Sequence, residues 1–329
     1  MSAPLPVAVD VMGGDKAPHE ILAGAEAAAA AGIPVILVGT PEAVAGHDLP
    51  SIEASQVIDM AEEPGAAVRQ KKDSSLVRAA EAVRDGRASS MVSAGNTGAA
   101  MAASLLRMKR LSGVARPAIA APLPLAHRDG KNVLLDAGAN AECQPEWLVQ
   151  FARMGAAYMR ARFDVERPRV GLLSIGEEPT KGTPFVKDVH ALLLQPEWQE
   201  TAGCEFVGNV EGRDLLGDVA DVIVTDGFTG NVALKTIEGA AKQLVGAILG
   251  AFDMNDESRA AADVLLPSLL PLYQRVDPDN TGGAALLGLR GVSIISHGSS
   301  SAKAIENAIG VAHELVERSL VAHLGDVLG

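Results

Sequence analysis

The sequence predicts an α/β protein on a mostly parallel sheet, and three observations carry that expectation. Short β-branched runs recur along the chain, each is followed by a glycine-containing turn, and most turns lead into apolar residues at helical spacing. Such alternation is the signature of strands wound with helices. In order, the expected strands are residues 7–11, 34–39, 56–60, 90–93, 133–136, 170–175, 205–207, 222–225 and 292–296. The first ends in the turn Asp10-Val-Met-Gly-Gly-Asp15, after which Pro18 is expected at the first position of a helix. Strand 90–93 opens into Ser93-Ala-Gly-Asn-Thr-Gly98, and 133–136 into Asp136-Ala-Gly-Ala-Asn140. Strand 170–175 leads to Gly176-Glu-Glu-Pro-Thr-Lys-Gly-Thr-Pro184, where Thr183 and Pro184 read as cap and first residue of a helix. Strand 222–225 gives Asp226-Gly-Phe-Thr-Gly-Asn231 and a long helix with Ile237, Ala241, Leu244, Val245, Ile248 and Phe252 on one face. The last strand ends in Ser296-His-Gly-Ser-Ser-Ser301. With all strands parallel, four of these turns would gather at one carboxyl edge, where open α/β sheets bind ligands. Residues 258–280 break the rhythm with Pro267, Pro271 and Pro278 among many leucines, and are expected to protrude.

The chain has 329 residues, 48% hydrophobic and 21% charged, with a net charge of -13. That length allows two domains or one large unit with an inserted segment. An acidic chain with 3% aromatic residues is poorly suited to binding nucleic acid, which would be repelled at long range. Cys143 and Cys204 are far apart and form no CxxC, so neither zinc nor a disulfide framework is expected. The amino terminus lacks a basic and then apolar leader, and no run of 18 apolar residues occurs, so neither export nor membrane spanning is expected.

The glycine turns are the candidate ligand sites. In the first, Asp10, Gly13 and Gly14 lie where backbone N–H groups can approach an anion, though the same pattern serves a tight turn with an acidic cap. Asn96 and Thr97 are phosphate donors by type and place; Asn96 is also a natural helix cap. No Walker A loop and no dinucleotide GxGxxG follows a strand. Lys181, in its glycine-bounded loop, can neutralise phosphate or an oxyanion, or simply be solvated. Asn231 can donate to an oxygen at the helix start or cap the helix. His297 is a general base by type, and equally a donor or part of a capped turn beside Ser299 and Ser300; no Ser/His/Asp triad is assigned.

Taken together, the blocks AVDVMGGD, SAGNTGAAM, RPAIAAPLP, LLDAGAN, PEWLVQFARMG, PRVGLLSIGEEPTKG, FVGNVEGRDLL, DVADVIVTDGFTGNVALKTIEG, GGAALLGLRG and HGSSSAKAIENAI resemble the PlsX family of phosphate acyltransferases over nearly the whole chain. The chain is expected to be a single domain over residues 1–329, with the proline-broken apolar stretch as a protruding helical segment at 253–281; the resemblance implies a three-layer α/β/α fold like that of isocitrate and isopropylmalate dehydrogenases. It implies transfer of a long-chain acyl group from acyl-acyl carrier protein to inorganic phosphate, without cofactor or metal, for phospholipid synthesis. The catalytic positions it carries over are Lys181 and Asn231; Asn140, Asp226 and Thr229 join the other turn residues as substrate and phosphate binders. It further implies a homodimer, contact with the inner face of the plasma membrane, and a downstream membrane acyltransferase of the PlsY type.

An acidic carrier protein requires a local basic face, for which Arg69, Lys71, Lys72, Arg78, Arg107, Lys109 and Arg110 are candidates. Leu265, Leu266, Leu269 and Leu270, with neighbouring apolar residues, are expected to meet the membrane or a second subunit. Three rival readings stand beside this one. A phosphotransacetylase would use short acyl-CoA, a hydroxy-acid dehydrogenase would need a dinucleotide and a metal-binding carboxylate cluster, and a membrane-docked scaffold would need neither Lys181 nor Asn231.

Overall fold

Strand-forming residues occur where expected at most positions, but two unexpected strands change the direction of half the sheet. The computed structural model describes residues 4–126 and 130–328, so the first three residues of the amino-terminal stretch lie outside it. Its strands are β1 (Val7–Asp10), β2 (Val35–Gly39), β3 (Ser51–Glu53), β4 (Ser90–Ser93), β5 (Ala118–Pro124), β6 (Lys131–Leu135), β7 (Arg169–Leu173), β8 (Glu205–Val210), β9 (Val222–Val224), β10 (Ala284–Leu287) and β11 (Val292–Ile295). They form one sheet in the order β3-β2-β1-β4-β11-β10-β5-β6-β9-β7-β8.

The expected strand at 56–60 is not one. Gln56 makes an isolated bridge to Ser74, the Val57 carbonyl accepts from Lys71 Nζ, and the Asp59 N–H donates to Glu62, so a loop takes up these backbone groups. Pro18 stands at the cap of the helix His19–Ala30, one place before the position expected for it. β3, β5 and β10 were not expected: β3 is the three residues Ser-Ile-Glu at the sheet edge, β5 reads Ala-Ile-Ala-Ala-Pro-Leu-Pro, and β10 reads Ala-Ala-Leu-Leu without a β-branched residue.

β10 pairs antiparallel with both β11 and β5, and β5 antiparallel with β6. Three reversals leave β6, β9, β7 and β8 running opposite to β1, β2, β3, β4 and β11. The four turns therefore do not share one edge, which corrects the sequence expectation. Of the four, those after β4 and β11 point one way and those after β6 and β9 the other; the turns after β1 and β7 follow the same division. Register nevertheless brings the two sets to a common height: Ser93 is level with Ile295 and Ala284, and, across β5, Ala121 is level with Leu134. From β4 to β6 is four strand spacings, roughly 19 Å.

Helices cover both faces, as the α/β/α expectation requires. Val7 and Val9 of β1, with Val222 and Val224 of β9, pack under His19–Ala30, Pro145–Phe163, Pro184–Leu193 and Ala302–Glu317. On the other face Ala8 and Met91 meet Pro64–Gln70, Ser75–Arg84 and Thr97–Met108, while Leu134 and Ile223 meet the first turns of Gly227–Phe252. Leu234 of that helix packs against both groups.

Beyond those turns the long helix leaves the body. It pairs with Asp256–Val276, which contains Pro267 and Pro271; the buried residues of the two helices are Gly227, Gly230 and Ala262. The departure begins before the boundary expected at 253. Leu244, Ile248, Leu265, Leu266, Leu269 and Leu270 are all exposed.

Candidate active site

Neighbouring strands β9 and β7 send their helices to opposite faces, and such a switch point opens a crevice at the carboxyl ends of the strands. Asn231 lies on the first turns after β9 and Lys181 on the loop after β7. Both are exposed, and among the described residues neither Lys181 Nζ nor the Asn231 side-chain amide has a hydrogen-bonding or ionic partner. The stem of Lys181 is close to Gly176, where an added Cβ would meet its Cγ at 2.7 Å. Asn231 leans on Gly138, whose added Cβ would be 3.4 Å from Asn231 Oδ1.

What holds this crevice is a carboxylate that the sequence reading did not single out. Asp136 is fully buried and accepts from the N–H groups of Ile119, Gly138, Ala139 and Asn140 at 3.0, 3.1, 2.9 and 2.7 Å, and from Asn140 Nδ2 at 2.9 Å. Burial pushes its carboxyl above the ordinary value, and these donors oppose the shift. Its place before Gly-Ala-Asn was the available signal. Asn140 Nδ2 also donates to the Pro117 carbonyl at 2.8 Å, so both its amide hydrogens are committed to structure. Asp226 caps the long helix through Thr229, accepting from its N–H and its hydroxyl, each at 2.8 Å. Asn140, Asp226 and Thr229 thus spend their polar groups on the turns around the crevice, while Lys181 and Asn231 keep uncommitted donors, among the described residues, on the segments that leave β7 and β9.

A second switch point lies between β1 and β4, whose helices also take opposite faces. It gathers Asp10, Gly13, Gly14, Asn96, Thr97, His297, Ser299 and Ser300, but its polar groups are largely engaged. Asn96 Oδ1 accepts from the Ala99 N–H at 3.0 Å, and its Nδ2 donates to the carbonyls of Met60 and Glu62 at 2.9 and 3.1 Å. The capping role expected as the alternative holds, and the amide has no hydrogen left for phosphate. Ser300 is buried, with its hydroxyl 2.8 Å from that of Ser296, so burial rather than type sets it back from a phosphate. Asp10 is 2% exposed, accepts from Ser93 Oγ at 2.7 Å, and has its carboxyl pushed up by burial. Gly13 and Gly14 close against Gly95 and against the Gly298 and Ala94 carbonyls. His297 Nδ1 accepts from the Ser299 N–H at 3.2 Å and lies 2.8 Å from its hydroxyl, so the proton of a neutral ring is on Nε2. Thr97 is exposed at the helix start.

The basic candidates divide similarly. Lys71 is tied to Glu62 and the Val57 carbonyl; Arg78 pairs with Asp73, and Arg107 with Glu81; Arg110 holds the carbonyls of Val114 and Ala115. Arg69, Lys72 and Lys109 are exposed, without an ion pair among the described residues. Also among the described residues, no group of three His, Cys, Asp or Glu side chains is placed to hold a metal ion, and no helix is long and apolar enough to cross a membrane.

Cys143 is the thiol beside the 136–140 turn, its Sγ donating to the Asn140 carbonyl at 3.6 Å. Burial above all, with Asp136 and Asp226 nearby, pushes its thiol up to about 12, so it is protonated at neutral pH. Cys143→Ser is expected to keep turnover within about threefold of native in a steady-state assay.

The chain matches the family described as "Fatty acid synthesis protein" over residues 5–323. A protein named phosphate acyltransferase from Desulforudis audaxviator is 48% identical over 329 residues, covering 98% of this chain and 96% of that one. Another so named from Pelotomaculum thermopropionicum is 47% identical over 324 residues, covering 96% and 92%. Among solved structures, EutD phosphotransacetylase from Staphylococcus aureus superposes with a TM-score of 0.61 at 16% identity, covering 95% of this chain and 94% of that one. A 4-hydroxythreonine-4-phosphate dehydrogenase from Klebsiella pneumoniae gives 0.52 at 14% identity, covering 96% and 98%. These last two likenesses establish the fold.

Proposed function

Because the chain belongs to the fatty acid synthesis protein family, the PlsX-type phosphate acyltransferases, we propose that it transfers an acyl group from a thioester to inorganic phosphate in phospholipid synthesis. The observation that carries this reading is the pair of uncommitted donors, Lys181 and Asn231, at the carboxyl ends of adjacent strands. Inorganic phosphate is itself a nucleophile at neutral pH and a thiolate is a good leaving group, so the site must supply chiefly position and charge stabilisation. A phosphate oxygen attacks the thioester carbonyl carbon, a tetrahedral oxyanion forms, and the C–S bond breaks to give acyl phosphate. The sulfur leaves with the electron pair of that bond and takes up the proton that the phosphate loses. Lys181 balances the charge of phosphate and oxyanion, and Asn231 donates to the oxyanion. The start of Gly227–Phe252 adds a favourable dipole.

The acyl donor in this reading is a long-chain acyl-acyl carrier protein, docked on the exposed Arg69, Lys72 and Lys109. The product passes to a membrane acyltransferase of the PlsY type. Acyl-carrier protein and acyl-CoA of equal chain length, compared at equal phosphate, separate this reading from a phosphotransacetylase: preference for short acyl-CoA overturns it.

The helical hairpin supports two further parts of the reading, a homodimer and contact with the membrane surface. Its exposed leucines form an apolar patch that water solvates poorly. Leu266→Glu with Leu269→Glu is expected to weaken sedimentation with anionic liposomes or to shift the protein from dimer to monomer in equilibrium sedimentation. Native behaviour in both assays contradicts that role.

A further inference from the structure

Lys181 is on a loop, yet a chain of buried groups behind it fixes where the loop sits. The Lys181 N–H donates to the Glu178 carbonyl at 2.9 Å, and Asn209 Nδ2 donates to the same oxygen at 2.9 Å. Asn209 Oδ1 is then the acceptor for His190 Nδ1 at 2.9 Å, so that nitrogen carries a proton. Both side chains are buried, at 6% and 5% exposure. The His190 ring stands edge-on to Phe206 at 5.2 Å, which holds its plane.

The sheet is built to bring Asn209 into this chain. In an unbroken strand Phe206 and Asn209, three residues apart, face opposite sides. In β8 the register slips: Phe206 is opposite Val170, Gly208 opposite Gly171, and Asn209 opposite Leu172, so one extra residue is accommodated. Gly208 makes this possible with φ +96, a conformation other residues rarely adopt. The bulge turns Asn209 to the side of Phe206, where the helix Pro184–Leu193 supplies His190. That helix starts directly after the loop, with Thr183 as its cap, so the Lys181 loop is anchored at Glu178 through Asn209 and at its carboxyl end by the helix that carries His190.

We propose that His190 and Asn209 are positioning residues for the reaction, holding the Glu178 carbonyl and through it the Lys181 ammonium at the crevice. This rests on the reading of Lys181 as the cation of the acyl transfer. Neither residue touches substrate; each acts through the loop.

The test compares His190→Phe, which keeps a ring but loses the donor, His190→Asn, which restores one, and Asn209→Asp, which keeps an acceptor for His190 but cannot donate to Glu178. Each is assayed for phosphate-dependent thiol release alone and combined with Lys181→Ala. The expected result is a fall in kcat of about ten- to a hundredfold for His190→Phe and Asn209→Asp, with the KM for thioester little changed, and recovery of most of it in His190→Asn. In the Lys181→Ala background the same changes cost nothing further. Native turnover in both single variants, or an equal loss with and without Lys181, overturns the proposal while leaving the role of Lys181 intact. If instead Lys181→Ala is itself fully active, it is the reading of the site that fails. Cleavage by trypsin after Lys181, mapped by mass spectrometry, then decides whether the pair holds the loop. Faster cleavage in Asn209→Asp than in native protein supports the anchoring, and equal rates overturn it.

Discussion

Lys181→Ala is expected to lower kcat by roughly a hundred- to a thousandfold while leaving the thermal transition unchanged. The side chain is exposed and its ammonium has no partner among the described residues, so removing it breaks no hydrogen bond or ion pair of the fold. In the proposed reaction it removes the positive charge that balances two anions, the incoming phosphate and the developing oxyanion. Asp226 and Asp136, which lie about the start of the Asn231 helix, are acidic and supply no substitute. Lys181→Arg should restore part of the rate: it returns the charge, but a planar guanidinium does not reproduce a compact ammonium at the same point. Stopped-flow or steady-state release of thiol measures both. Full activity of Lys181→Ala would leave the crevice without its principal cation and the mechanism without support.

Gly230→Ala is the second large effect, and it removes no functional group. An added Cβ would sit 1.9 Å from the Asp136 carbonyl oxygen and 3.0 Å from its carbon, both main-chain atoms in a turn fixed by Asp136 itself. Neither wall can yield as a flexible side chain would, so the helix start must move away from the 136–140 turn. The expected cost is at least about 2 kcal/mol in chemical denaturation. Turnover should fall more than tenfold in the protein that remains folded, since Asn231 is the next residue and moves with the helix. Gly239→Ala is the matching control. It lies in the same helix with nothing within 4 Å of the added Cβ, and should be neutral or stabilising by up to about 1 kcal/mol. Equal behaviour of the two variants would remove the close approach from the account.

The contrast between these residues shows what the sequence could and could not convey. Strand, glycine turn and helix cap are local, so Thr183 before Pro184 was legible and the structure has it capping; at the long helix the cap is Asp226, where the alternative reading had placed it at Asn231. The direction of the strands is not local. It depends on β5 and β10, whose alanines, leucines and prolines lack strand preference and which form because neighbours on both sides supply hydrogen-bond partners. Missing them merged two crevices into one and placed Asn96 and Ser300 among the phosphate donors. Residue type alone did not distinguish Asn96, with both amide hydrogens committed, from Asn231, with none committed among the described residues. Asp136 escaped notice for the same reason: five donors reach it from the turn it organises and from the first residues of β5.

The most direct test of the central claim is the release of free thiol from palmitoyl-acyl carrier protein as inorganic phosphate is titrated, with hydroxylamine trapping the acyl phosphate formed. The account predicts saturable, phosphate-dependent thiol release, an equal amount of hydroxamate, and loss of both in Lys181→Ala. Thiol release that is independent of phosphate, or that persists unchanged without Lys181, would contradict it.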